Sequence, residues 1–268
     1  MPVDALESDV GRHLEALGEV FATIEHHDSG NTSWGVRIEG ERWFVKAAAH
    51  AEGVGWLQSA VRFHAAVQHP HIVPLHRAVP VAGGGLALLY PWVDGEILND
   101  PFAPGSLPRH ALESAYRRFR SLPVDRILPA LDAIFDAHVA VARAGYAAVD
   151  FYDGCVIYDF ASGAVALVDL DLYCPAPYEL DADRQFGSTR FMAPEEFRRG
   201  ATIDERTTVY TLGRTAFVFL SADERGAPDR GLWRGTDAQH AVAAAATADD
   251  PDARLPTVEA FVDAWRLA

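Results

Sequence analysis

Hydrophobic residues recur along this chain in two different rhythms. Over 3–20, Val3, Leu6, Val10, Leu14 and Leu17 return every three or four positions, which predicts one face of a helix. From residue 34 the rhythm becomes alternation. "WGVRI", the turn "EGE" and "RWFVKA" predict a β-hairpin, with Trp43 and Val45 on one face and Phe44 and Lys46 on the other. Helical spacing returns over 54–68 in "VGWLQSAVRFHAAVQ" and stops at His69-Pro70, because proline disfavours helical geometry in the residue before it. Two further strands are predicted at "IVPLHRAV" and "LALLYPWV", separated by a glycine turn at 83–85.

Further along, helices dominate. They are predicted over 109–121, 125–144, 204–221 and 256–267. Two short strands interrupt them, "CVIYDF" and "AVALVDL", joined at Ala161-Ser162-Gly163. The stretch 223–253 is rich in Gly, Asp and Ala and shows no clear period, and no segment repeats elsewhere. The expected architecture is a two-lobed α+β protein. A small, mainly-β lobe with one long helix covers 1–93, a larger helical lobe covers 94–268, and the chain crosses between them near 91–108.

Composition narrows the partners. The chain has 268 residues, with 38 acids against 23 bases and a formal net charge of −15. That balance argues against nucleic acid and against anionic membrane surfaces as partners. Two cysteines, Cys155 and Cys174, are too few for a disulfide framework and point to a reducing compartment. The N-terminus carries acids early and has no apolar run of signal-peptide length, so a cytoplasmic location is expected.

The candidate chemistry lies in acids placed among core residues. "AAVDFYDGCVIYDF" holds Asp150, Asp153 and Asp159, and "ALVDLDLY" holds Asp169 and Asp171. The two strands between Asp150 and Asp169 form a hairpin, which brings its ends side by side and turns both carboxylates toward one spot. Close carboxylates repel unless a cation or a shared proton lies between them. Most loop aspartates are turn caps, but Asp150, Asp153, Asp169 and Asp171 at one open end favour a metal. Hard oxygen ligands without a His–Cys cluster favour Mg²⁺ or Mn²⁺, which keeps positions for phosphate oxygens. A strand lysine, Lys46, facing them would balance those phosphates, which points to phosphoryl transfer from a nucleotide.

On these residues the chain resembles the eukaryotic-type protein kinase superfamily over nearly its whole length. "FVKA" resembles the strand carrying the phosphate-binding lysine, and "HPHIVPL" the stretch after the regulatory helix. "LLYPWVDGEIL" resembles the hinge, with Tyr90 as gatekeeper and Pro91, Trp92 and Val93 offering backbone to the base. "AVDFYDGCVIYD" resembles the catalytic loop and implies that Asp150 is the catalytic base. "LVDLD", 19 positions on, implies that Asp169 is the Mg²⁺ ligand. "GSTRFMAPEE" resembles the end of the activation segment and implies a buried ion pair between Glu195 and Arg254. The glycine-rich loop corresponds to "SGNTSWGV", so Gly30, Thr32, Ser33 and Gly35 are expected around the phosphates. ATP or GTP with Mg²⁺ is the implied cofactor set.

Several positions depart from the family pattern. Thr32 replaces the middle glycine. The regulatory helix has no glutamate, with Ala60 near the aligned position and Glu52 before it. Ala148 and Val149 replace the His-Arg of the catalytic loop, and Tyr152 replaces its lysine. Cys155 stands at the second metal ligand, where a thiol is a poor partner for Mg²⁺. Asp171 replaces a glycine and is read as a further metal ligand, and Thr208 replaces the aspartate that braces the catalytic loop. Arg117, Arg118 and Arg120 read as a solvated basic face able to hold an acidic substrate, and His26-His27 as surface residues.

Three functions follow from the resemblance. The first is a phosphotransferase acting on the hydroxyl of a small molecule, antibiotic- or nucleoside-like. The alternatives are a Ser/Thr protein kinase and a nucleotide-binding pseudokinase with a scaffolding role. The missing arginine and lysine of the catalytic loop favour the first.

Overall fold

The computed structural model describes residues 1, 3–25, 30–99, 105–223 and 225–268. It is an α+β fold with an N-terminal antiparallel sheet and a helical C-terminal part. The first elements are α1 (Val10–Leu17), β1 (Glu19–Ile24), β2 (Thr32–Ile38), β3 (Glu41–Ala48), α2 (Ala51–Ala66), β4 (Arg77–Val81) and β5 (Gly85–Pro91). Their strands form one sheet in the order β1-β2-β3-β5-β4.

The β2–β3 hairpin forms as the alternation predicts, with Val36 opposite Trp43 and Ser33 opposite Lys46. Its two faces are separated as expected. Val36, Val45 and Ala47 pack under the N-terminal arm with Leu6, Val10 and Leu14. Phe44 faces the other way, toward Leu57, Ala60, Leu88 and Tyr90.

The predicted helix over 3–20 is shorter. Asp9 caps α1 through the Arg12 amide, and Leu6 instead lies parallel to Val81 at the sheet edge, bonded through its own N–H to Pro80 O. Helical spacing and an edge strand both satisfy Leu6, and the sheet edge offers backbone partners that an isolated first turn lacks.

The C-terminal part contains β6 (Glu96–Ile97), α3 (Ala115–Arg120), α4 (Val124–Arg143), β7 (Tyr146–Ala147), β8 (Val156–Tyr158) and β9 (Val165–Leu167). It continues with β10 (Cys174–Pro175), β11 (Tyr178–Glu179), β12 (Thr202–Ile203), α5 (Glu205–Leu220), α6 (Asp237–Ala246) and α7 (Val258–Leu267). The hairpin β8–β9 gains β6 as a third strand. Helix α5 is buried almost all round from Thr207 to Leu220 and forms the centre of the helical packing. Helix α6 supplies order within 223–253, where the sequence showed none.

The helix expected over 109–121 contracts to α3. Ser114 caps it by accepting from the Arg117 amide and donating to Arg109 O. The segment expected as a strand from residue 72 has another partner. Leu167 N–H donates to His71 O at 2.6 Å and Val73 N–H to Leu167 O at 3.0 Å, so the chain after α2 is stitched to β9. Phe63 of α2 also packs against Tyr146 and Tyr173. These contacts hold the sheet against the helical part, an arrangement compatible with two lobes. Among the described residues no helix is long and apolar enough to cross a membrane.

Candidate functional site

Lys46 is the only lysine in the chain, and its position in β3 decides the site. A lone strand lysine ordinarily snorkels to water. This one is 9% exposed. Its Nζ lies 2.5 Å from Asp169 Oδ1 and 2.6 Å from Asp171 Oδ2. Burial works against its charge, but the two carboxylates outweigh burial and hold its pKa above the ordinary lysine value.

The two aspartates are not equivalent. The Asp169 side chain is 48% exposed, whereas that of Asp171 is 10% exposed. Burial pushes the Asp171 carboxyl upward and Lys46 pulls it back.

Asp150 and Asp169 share a backbone peculiarity. Both adopt the left-handed conformation, with φ of 60° and 57°. A non-glycine residue pays on the order of 1–3 kcal/mol for that geometry, and such strain concentrates at functional sites. Cys155 lies beneath both. Its Sγ is fully buried, 3.5 Å from Asp150 O and 3.9 Å from Asp169 O. Burial, with the charges of Asp169 and Asp150, pushes the thiol well above its usual pKa. Cys155 is thus a buried soft thiol within reach of two backbone carbonyls, in keeping with the poor match to Mg²⁺ noted from the sequence.

The stretch around Asp150 is held from several sides. The Ala148 amide donates to Thr208 Oγ1 at 3.0 Å. His138 Nε2 meets Tyr173 Oη at 2.8 Å, and its ring packs against Phe151 with centroids 4.6 Å apart. Tyr152 folds over Gly154, where a Cβ would sit 2.4 Å from the phenol ring, so only glycine admits that approach.

Of the four acids expected at the hairpin mouth, Asp150, Asp169 and Asp171 border one cleft and Asp153 does not. Asp153 is fully buried and accepts from Arg190 Nη2 at 2.7 and 2.8 Å and from Asn99 Nδ2 at 3.1 Å. Asp159 caps its own turn through the Ala161 amide and the Ser162 hydroxyl. Among the described residues no group of three or more His, Cys, Asp or Glu side chains is arranged to hold a metal. The half-exposed carboxylate of Asp169 is a hard oxygen donor of the kind that suits Mg²⁺.

These residues line a cleft of about 840 Å³ between the sheet and the helical part. Lys46, Asp150, Tyr152, Asp169 and Asp171 all border it, as do Tyr90, Pro91, Trp92 and Val93 at the end of β5. Pro91 has no amide hydrogen, and the Trp92 N–H is given to Arg42 O at 3.0 Å. Phe21, Phe44, Trp56 and Trp92 give the cleft an aromatic wall. Gly35 lies under that wall, since a Cβ there would meet Phe21 at 2.6 Å and Trp92 at 2.8 Å.

The residues expected around phosphate divide between two faces. Ser33, next to Lys46 across the hairpin, lines the cleft, is fully buried, and its hydroxyl has no hydrogen-bond partner among the described residues. Gly30 and Thr32 border a different depression beside α1, on the other face of the sheet. Strand alternation accounts for this, because neighbours in β2 point to opposite faces. Gly35 is covered by the aromatic pair. Of the four, Ser33 alone presents a side chain to the cleft.

The basic face expected on α3 is also divided. Arg118 pairs with Glu96 at 2.8 Å, while Arg120 is buried and gives Nη2 to Ser221 O and Asp223 O at 2.5 Å each. Arg120 is a structural tie and not part of a solvated patch. His26 and His27 lie outside the described residues. Glu195 and Arg254 form the buried pair that the resemblance implied, with contacts of 2.7 and 2.8 Å.

Sequence reasoning missed the Asn99–Asp153–Arg190 network. Arg190 lies inside the quoted "GSTRFMAPEE", but nothing local to it names a partner 37 positions away. No protein-family model matches the chain, and no curated protein matches its sequence.

Proposed function

We propose that this protein is a nucleoside-triphosphate-dependent phosphotransferase with a protein-kinase-like, two-lobed fold, moving a γ-phosphate to a hydroxyl group, preferentially of a small molecule. The observation that carries the reading is the Lys46–Asp169 ion pair at 2.5 Å, in a cleft that Asp150 also lines. A buried cation, a half-exposed carboxylate and a second carboxylate around one cavity are the parts phosphoryl transfer uses for charge neutralisation and for handling the acceptor proton. The strained backbone of Asp150 and Asp169 supports the same site.

ATP or GTP fits along the aromatic wall, its base toward Tyr90–Val93 and its phosphates toward Lys46 and the Ser33 hydroxyl. Mg²⁺, held by Asp169, would neutralise phosphate charge. Lys46 holds the phosphates, and Asp150 orients the acceptor hydroxyl and takes its proton. Asn99, Arg109, Glu113 and Ser114 also line the cleft, polar groups suited to a hydroxylated small molecule, antibiotic- or nucleoside-like.

The test is nucleotide binding followed by transfer. A thermal shift with Mg²⁺ and ATP or GTP is expected in the wild type, with a smaller shift in K46M and D169N, whose binding weakens without disappearing. Phosphate transfer from γ-labelled nucleotide to a panel of hydroxylated small molecules is expected to mark an acceptor. Autophosphorylation without small-molecule transfer makes it a Ser/Thr protein kinase, and binding without any transfer makes it a pseudokinase. No nucleotide binding at all overturns the reading.

A further inference from the structure

We propose that Asp171 is the resident counter-ion that positions Lys46, and not a metal ligand, so that the lysine is held from the β8–β9 side of the cleft with no contribution from α2. This deepens the reading of the cleft given above and rests on it for the role of Lys46.

The argument begins with what α2 lacks. Its only acid is Glu52, exposed in the first turn. Where the helix approaches the cleft it offers Trp56, Ala60 and His64, none of them an anion; burial lowers the His64 pKa to about 4 and keeps its ring neutral. A buried ammonium without a partner is costly, so the sheet alone cannot hold Lys46 charged. The chain solves this with "DLD". The left-handed turn at Asp169 brings residues 169 and 171 to one Nζ, at 2.5 and 2.6 Å.

Exposure then separates their roles. Asp169 is open to the cleft and can exchange its hold on the lysine for a ligand in solution. Asp171 is enclosed, and its polar neighbour is Lys46. When phosphate oxygens reach Lys46 and Asp169 turns to the cation that accompanies them, Asp171 would keep the ammonium in place.

A double-mutant cycle separates positioning from metal binding. With saturating Mg²⁺, D171N is expected to weaken nucleotide affinity about tenfold in the wild-type background and less than about twofold in K46M. The Mg²⁺ concentration for half-maximal binding is expected to stay unchanged in D171N and to rise in D169N. Equal losses in both backgrounds, or a Mg²⁺ shift in D171N matching that of D169N, overturn the proposal. Asp171→Glu, which keeps the charge, is expected to recover most of the affinity and serves if D171N purifies poorly; no recovery there also counts against it. The same cycle read by thermal unfolding needs no nucleotide. A melting-temperature loss for D171N that disappears in K46M supports the pair, and additive losses refute it even if the phosphotransferase reading fails.

Discussion

Thr208 Oγ1 accepts the Ala148 amide hydrogen at 3.0 Å, inside a fully buried contact between α5 and the strand that leads to Asp150. The resemblance placed a bracing aspartate there, and the shorter, uncharged threonine still reaches the backbone. Thr208→Val keeps the shape and removes the acceptor. It is expected to lower unfolding free energy by about 1–3 kcal/mol, the cost of a buried unsatisfied amide. Thr208→Ser should retain most of the stability, and urea unfolding of both variants measures the difference.

The Glu195–Arg254 pair fixes the end of the segment that follows Asp169. Both side chains are buried, and Thr207 Oγ1 adds a third contact to Glu195 at 2.8 Å. Glu195→Ala leaves a buried guanidinium unpaired and is expected to cost about 3–5 kcal/mol. Burial pushes the Glu195 carboxyl up, but Arg254 and Thr207 outweigh it and hold its pKa below the ordinary value. The folded pKa therefore lies below the unfolded one. The pair's contribution is intact above the usual glutamate range and is lost as pH falls through the depressed folded value. Acid unfolding of Glu195→Gln should lack that component.

Its neighbour Glu196 behaves in the opposite sense. Burial, reinforced by Glu195 and Asp150, raises its pKa to about 8, while the Ala193 amide donates to its Oε2 at 2.6 Å. Here the folded state holds a proton that the unfolded chain releases near 4.5. The contribution is complete below that value and fades as pH rises toward 8. Relative to Glu196→Gln, the wild type should lose stability at up to about 1.4 kcal/mol per pH unit across that window. Urea titrations at pH 5 and pH 8 should differ by a measurable gap, and parallel curves would exclude a proton on Glu196.

Asp150→Asn removes the proposed proton acceptor while keeping the side chain's shape. Turnover should fall by orders of magnitude with nucleotide affinity within about twofold of wild type. Single-turnover kinetics alongside equilibrium binding distinguish the two quantities, and unchanged turnover removes Asp150 from the mechanism.

Cys155→Ala tests the thiol beneath Asp150 and Asp169. If Cys155 serves only as a small buried group donating to their carbonyls, the substitution should cost about 1–2 kcal/mol in stability and leave the Mg²⁺ dependence of nucleotide binding unchanged. A raised Mg²⁺ requirement would restore it as a ligand.

The order of strands and helices was legible because each element carries its own period. The β2–β3 hairpin and its two faces follow from alternation in "WGVRI" and "RWFVKA", and α4, α5 and α7 follow from helical spacing. Asp150, Asp169 and Lys46 could be singled out because a charge inside an apolar strand or loop needs a partner. The Glu195–Arg254 pair was legible only through resemblance. Where two structures suit one pattern, as for Leu6, the sequence left the choice open.

What the chain alone determined is which residues must be covered and which charges need compensation, since hydrophobic periodicity and burial costs act over a few neighbouring positions. The tertiary structure decided who compensates whom. Lys46 meets Asp169 and Asp171 across 123 and 125 positions, Asp153 is claimed by Arg190, and strand alternation sends Ser33 and Thr32 to opposite faces. Those outcomes depend on distances of a few ångströms between distant segments, and an ion pair's energy is set by that separation and by the surrounding dielectric, neither of which local sequence encodes.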